Sequence, residues 1–230
     1  MPLSRTDISK ILAPDPWFSR QPENLQAALV AEAQEVQAGA GRWIYDAGES
    51  ASGLYGTLSG SIAMHIGIEN EEPALVSIIG PGHIFGYTGR FLGGRRIATA
   101  VAREPTTLLY LPERGLEAIA QRLPDLWVRL AELSSIHVVA GFRLAIANTR
   151  PATQRLAIHL QLLATQFSPS PHLPVTQDEL SEMTGLSRKT VNRVLAGFEK
   201  DGLLSTGYRS LEILDPARLR ATGRRKGDRD

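Results

Sequence analysis

Apolar positions along the chain follow three rhythms, and each predicts a different kind of structure. Between Val36 and about Leu111 the pattern changes every six to ten residues. Trp43 to Tyr45, Gly53 to Leu58, Ser61 to Ile66, Leu75 to Ile79 and Ile97 to Ala102 are short apolar or alternating runs, separated by Gly48-Glu49, Ser59-Gly60, Glu69 to Pro73 and Gly80-Pro81-Gly82. Such runs between turn-forming residues read as strands. Many short strands at even spacing predict a β-barrel or jelly roll. Gln26 to Ala33, ahead of them, reads as a short helix.

The second rhythm runs from Pro124 to Asn148, where no Pro follows the first residue and Gly141 is the single glycine. Leu126, Leu130, Leu133, His137, Ala140, Leu144 and Ala147 recur at alternating steps of four and three, a heptad seam. Trp127, Ile136, Val139, Phe142 and Ile146 widen the apolar surface beyond that seam, so one side is expected to pack on the barrel and the other on a second copy of the chain. Asn148-Thr149-Arg150-Pro151 then breaks the pattern, because proline restricts the residue before it and lacks an N–H. A hinge is expected there. Gln154 to Ala164 is again helical, and Ser168 to Pro171 reads as a loop.

The third rhythm is a pair of short helices. Thr176-Gln177-Asp178-Glu179 has the capping-box spacing, in which the Thr176 hydroxyl serves the Glu179 amide and the Glu179 carboxylate returns to the Thr176 amide. Gly185 can supply the positive φ of a tight interhelical turn, and Ser187 is a good N-cap for the next helix. Leu180, Leu186, Val191, Val194, Leu195 and Phe198 recur on one side, while Arg188, Lys189, Asn192, Arg193 and Lys200 fall on the other. That second face suits the major groove of DNA, where Arg and Lys can donate to guanine and Asn can pair with adenine. Asp201-Gly202 ends the helix, and Leu203 to Leu214, turning at Thr206-Gly207-Tyr208, reads as a β-hairpin wing.

Composition sharpens this picture by exclusion. The 230 residues are 43% hydrophobic and 21% charged, which is globular, and contain no Cys, so disulfides, iron–sulfur clusters and cysteine nucleophiles are ruled out. His65, His83, His137, His159 and His172 show no metal-ligand spacing. There is no phosphate-binding loop, no nucleophile elbow and no dinucleotide fingerprint in a strand-to-helix context, so no enzyme and no metal is expected. The sequence shows no signal peptide and no apolar run suited to a membrane span, and a soluble cytoplasmic protein with no membrane partner is expected. Residues 1–148 hold 12 Lys and Arg against 15 Asp and Glu, and residues 149–230 hold 13 against 9. Part of the C-terminal excess is Arg220, Arg224, Arg225, Lys226 and Arg229, expected to form a disordered tail.

In this order, the barrel, long helix, hinge and winged helix resemble the Crp/Fnr family of bacterial transcription regulators. The residues that carry the resemblance are Gly48-Glu49, Leu54-Tyr55, Ser59-Gly60-Ser61, Pro81-Gly82, Phe85-Gly86 and, most specifically, Ser187 to Arg193. The resemblance implies an α+β chain: residues 1–123 a cyclic-nucleotide-binding-like sensor barrel with an N-terminal helix, 124–148 a dimerisation helix, 149–219 a winged helix-turn-helix domain, and 220–230 a tail. It further implies a homodimer on a pseudo-palindromic site of double-stranded DNA, with RNA polymerase as a further candidate partner. The DNA-contacting set is Thr176, Gln177, Ser187, Arg188, Lys189, Asn192 and Arg193, and the dimer helix uses Leu126, Leu130, Leu133, His137, Ala140 and Leu144. A small-molecule or nucleotide effector would be sensed by Gly86, Tyr87, Thr88, Arg95, Arg96, Ile97, Ala98, Ala140 and Gly141. Its identity is open.

In two places the sequence departs from the family's pattern. Cyclic-nucleotide binders of the family carry a ribose-holding Glu after the Phe-Gly step, where this chain has Tyr87, and hydroxyl residues for the adenine at positions matching Ala140 and Gly141. The phosphate-binding Arg is retained as Arg96 or Arg95. Cyclic AMP is therefore not the expected effector, since unpaired polar ligand atoms cost roughly 1–3 kcal/mol each. The rival readings are a signalling protein whose winged helix binds protein, and an enzyme with a regulatory barrel, for which residues 149–230 offer no catalytic constellation. Where many relatives read cytosine with a Glu, this chain has Lys189, which can only donate. The half-site should therefore carry a guanine or a phosphate contact at that position. Selection from random duplexes checks this, and recovery of the unaltered family consensus would refute it.

Overall fold

A computed structural model describes residues 3–50, 53–67 and 72–224. Contact density divides them into two units, residues 1–73 with 77–137, and residues 74–76 with 138–230.

The first unit opens with helices α1 (Arg5–Leu12) and α2 (Glu23–Ala31). Strands β1 (Gln34–Ala38), β2 (Trp43–Tyr45), β3 (Leu54–Ser59), β4 (Ile62–Ile66), β5 (Ala74–Ile79), β6 (Ile84–Phe85), β7 (Thr99–Ala102) and β8 (Thr106–Leu111) follow. They form two four-stranded sheets, ordered β1-β8-β3-β6 and β2-β7-β4-β5. Tyr45, Ile62, Ala100, Ala102 and Leu108, drawn from both sheets, share one buried cluster. A second cluster joins Leu54, Ile84, Leu109 and Leu111 to Leu12, Leu25, Leu29, helix α3 (Glu113–Arg122) and the start of helix α4 (Leu126–Asn148). Buried Asp15 pins this assembly, its Oδ1 accepting from the Trp17 and Phe18 amides and its Oδ2 from the Ile84 amide, at 2.9–3.0 Å. Trp17 in turn donates its indole N–H to the Arg129 carbonyl at 2.6 Å.

Helix α4 corrects two expectations. Leu126, Leu130 and Leu133 are fully buried in the first unit's own core, so they are not available as a dimer seam. A core helix and a coiled coil share nearly the same period, and here the barrel's helical layer occupies the seam. Val128, Ile136, Val138, Val139, Phe142 and Ile146 are exposed instead, with His137, Ala140 and Leu144 half-buried. Helix α4 is also long and apolar enough, by length and composition, to cross a membrane, contrary to the reading of the sequence. Glu132 and Arg143 lie far enough apart to leave a nearly uncharged window between them.

After α4 the second unit continues with α5 (Ala152–Phe167), β9 (His172–Leu173), α6 (Gln177–Thr184), α7 (Arg188–Lys200), β10 (Leu204–Gly207), β11 (Ser210–Ile213) and α8 (Pro216–Thr222). The three strands pair in the order β10-β11-β9. The loop expected at 168–171 leads directly into β9, and the wing turns at Tyr208-Arg209, one residue later than expected. Arg220 to Thr222, expected in the tail, instead finish α8, whose Leu219 is fully buried. Arg225, Lys226 and Arg229 lie outside the described residues, as does most of the Glu69 to Pro73 turn.

His159 on α5 is buried, and its Nε2 has no hydrogen-bond partner among the described residues. Burial, reinforced by the Arg155 charge, pushes its pKa down to about 4 from 6.5. The unfolded chain therefore takes up a proton below pH 6.5 that the folded chain refuses until about pH 4. Stability should fall as pH drops through this window, by a limit of roughly 3–3.5 kcal/mol. Denaturant midpoints measured across that range should show this slope in the native chain and a flatter one in His159→Leu.

Candidate DNA interface and ligand pocket

The helix pair α6–α7 is set by local hydrogen bonds. Thr176 Oγ1 accepts from the Glu179 amide at 3.2 Å, while Glu179 Oε2 accepts from the Thr176 amide and hydroxyl at 2.7 and 2.9 Å. Gly185 ends α6 at φ 63°, and Ser187 Oγ accepts from the Thr190 amide at 3.2 Å to start α7. Val191, Val194, Leu195 and Phe198 bury one side of α7. The opposite side brings Arg188, Lys189, Asn192, Arg193 and Lys200 into solvent together, with Gln177 exposed at the start of α6 and Thr176 half-buried in its cap. The result is a ridge of hydrogen-bond donors.

Three connections around the ridge escaped the sequence reading. Asp178 forms an ion pair with Arg188, Oδ1 to Nε at 2.6 Å. Glu199, late in α7, accepts from the amide and hydroxyl of Thr206 at 3.0 and 2.9 Å, tying the wing to the reading helix. Arg155 donates to the carbonyls of Asn148, Arg150 and Thr184 at 2.5, 3.4 and 3.2 Å, so it binds the expected hinge and the end of α6 at once. Isolated charges at unremarkable helix positions carry no spacing signal for such contacts.

In the first unit the expected pocket is only partly assembled. Arg96 is buried; its Nη1 donates to the Gly86 carbonyl, and its guanidinium lies over Tyr45 at 4.1 Å and over Tyr55 at 5.5 Å from the ring centroids. Tyr55 stacks further on Phe85 and Tyr110. Burial raises the Tyr45 and Tyr55 pKa values, against the nearby Arg96 charge, so both remain neutral phenols. Gly86 is required here: at φ 93°, a Cβ would stand 3.0 Å from both Arg96 and Tyr55.

That bend also explains why Tyr87 does not join Arg96. Phe85 lies in the cluster between the sheets, whereas Tyr87 lies in the helix-side cluster, ring against Phe91 and Trp127. Positive φ at Gly86 breaks the alternation that would put both rings on one face. Arg90 sits 4.8 Å over Trp127 and pairs with Glu113. Arg95 and Ile97 are exposed, with the Arg95 side chain reaching the Gly48 carbonyl at 3.4 Å, while Ala98 is buried and Thr88 half-buried. Ala140 and Gly141 belong to the second unit. No group of three or more potential metal ligands occurs among the described residues.

The two halves of this description coincide with two family models, a cyclic nucleotide-binding domain over residues 35–123 and a Crp-like helix-turn-helix domain over residues 154–222. The cyclic AMP receptor protein of Thermus thermophilus is 32% identical over 183 residues, covering 78% of this chain and 83% of that protein. The chain belongs to the Crp/Fnr family. It is a DNA-binding transcription regulator and not an enzyme. A CRP-like cAMP-activated global transcriptional regulator of Mycobacterium tuberculosis is 26% identical over 226 residues, covering 92% of this chain and 98% of the relative. FixK2 from Bradyrhizobium japonicum shares the fold with a TM-score of 0.69 at 20% identity, covering 85% of this chain and 99% of that one.

Two glycines of the helix pair should respond oppositely to alanine. Apart from the adjoining backbone, no atom of the described residues lies within 4 Å of a Cβ built at Gly185 or Gly197, so only backbone terms differ. Gly185→Ala should destabilise the domain by about 1–2 kcal/mol, because L-residues resist the left-handed region. Gly197→Ala, inside α7, should stabilise it by about 0.5–1 kcal/mol. Urea titration of the two variants reads both signs.

Proposed function

We propose that two copies of the chain pair along α4 and set one α7 into each half of a pseudo-palindromic operator. The observation that carries this reading is the exposed ridge of Arg188, Lys189, Asn192 and Arg193 on an α7 whose other side is buried. Arg and Asn near the start of a reading helix match base edges of the major groove, and Lys189 supplies a further donor. The pairing surface is the exposed Val139, Phe142 and Ile146, spaced three and four residues apart, with Val128 and Ile136 before them. It lies one face around from the seam first expected. Half-sites would then lie about 34–36 Å apart.

The sensor's effector is unassigned, and the pocket favours one other than cyclic AMP. Arg96 retains a charge for an anion, but Tyr87, in the place of the ribose-holding acid, packs on Trp127. The protein acts in the cytoplasm, where its operator is, and RNA polymerase is the partner through which a bound regulator would change transcription. Arg193→Ala should weaken operator binding by about 1–3 kcal/mol if Arg193 reads a base, and the affinity of the native protein should fall steeply with salt. Phe142→Glu should shift the dimer to monomer in analytical ultracentrifugation. Unchanged operator affinity in the first variant, or an intact dimer in the second, would refute the corresponding assignment.

A further inference from the structure

From the pairing of Asp178 with Arg188, we infer that Asp178 is a specificity-determining residue, one that aims the Arg188 guanidinium at a guanine and denies it to phosphates. The inference rests on the DNA-reading function proposed above. Asp178 stands at the second position of α6, and the cap of that helix is already complete through Thr176 and Glu179. Its carboxylate lies 2.6 Å from Arg188 Nε, with both side chains about two-thirds exposed, at 64% and 66%. An ion pair this exposed adds little to stability. A carboxylate among four donors is also unfavourable for affinity, because it faces the phosphates that those donors attract. An acid in the first turn of α6 favours the helix N-terminus by about 0.3–1 kcal/mol, but that does not account for its carboxylate meeting Arg188, and general DNA binding disfavours it.

Geometry offers a third account. Arginine carries five N–H donors in a planar fork. With Asp178 against Nε, both Nη groups remain for the O6 and N7 acceptors of guanine, a two-point contact that no other base offers in the same arrangement. A free arginine would turn as readily to a phosphate. When held by Asp178 it cannot move to the backbone without bringing a negative charge along or giving up its partner. The acid thus lowers binding to arbitrary DNA more than binding to the right base.

The test uses the full-length protein and duplexes with a randomised core, selected in parallel with the native chain, Asp178→Ala, Arg188→Ala and the double variant. Affinities of the recovered operator and a scrambled duplex are then measured across salt concentrations. Both positions are exposed, and circular dichroism verifies folding. The expected result is that Asp178→Ala loses about tenfold in guanine preference at one base pair per half-site. Its affinity for scrambled duplex should rise two- to fivefold, with a salt slope steeper by about one. Arg188→Ala should lose the same preference, and adding Asp178→Ala to it should change discrimination no further. If Asp178→Ala strengthens binding to both duplexes equally, or keeps the guanine preference, the inference is overturned and Asp178 serves only the helix N-terminus. If the native chain selects no sequence at all, the DNA-reading function itself fails.

Discussion

Burial of Val191, Val194, Leu195 and Phe198 fixes the rotation of α7 about its own axis, and everything the second unit presents to DNA follows from that angle. Successive helix positions differ by about 100°, so a slip of one residue would carry Arg188 and Asn192 toward the core. Four apolar side chains fully removed from water contribute on the order of 1.5–3 kcal/mol each, far more than any exposed ion pair on the ridge. The capping box on α6 and the left-handed Gly185 set the angle between the two helices, and Glu199 extends the same rigidity to the wing through Thr206. Specific polar chemistry is thus positioned by apolar chemistry that is itself indifferent to sequence.

The helix pair was the most legible part of the chain because its determinants are local. A Thr and a Glu three residues apart, a Gly, a Ser and an apolar period all lie within one short segment. The five strands read from the sequence correspond to elements of the fold, but α1, β1, β6, β8, α3 and α8 are not separable in the sequence. Strand β8, Thr-Thr-Leu-Leu-Tyr-Leu, is a central strand buried on both faces and shows no alternation. The spacing marks α4 as a helix, but Leu126, Leu130 and Leu133, at the start of its seam, are covered by the chain's own core. Periodicity reveals that a face is apolar and says nothing about what covers it. Asp178 and Arg155 were missed for another reason: their partners lie on other segments, and a contact between segments leaves no trace in spacing.

The pocket of the first unit shows how a buried charge is accommodated where little water reaches it. Two neutral phenol rings face Arg96, a backbone carbonyl accepts from it, and glycine is the residue that lets the carbonyl and the guanidinium approach. Aromatic faces stabilise a cation without carrying a counter-charge, so the rings and the carbonyl together hold the arginine in place. Departure of Tyr87 to the other side of the sheet changes the ring of groups around that charge, and with it the ligands the pocket suits.

Arg155 constrains how the second unit can diverge. Its single guanidinium serves carbonyls at the end of α4, in the link that follows and at the end of α6. Helix ends expose unsatisfied carbonyls of partial negative charge, and only a planar, many-donor cation can serve several of them from one position. Lysine preserves the charge but not the fork, so the mildest-looking exchange at this position is not mild. Mutational drift is accordingly expected to be slow at residue 155 while the neighbouring solvent-facing positions of α5 vary freely.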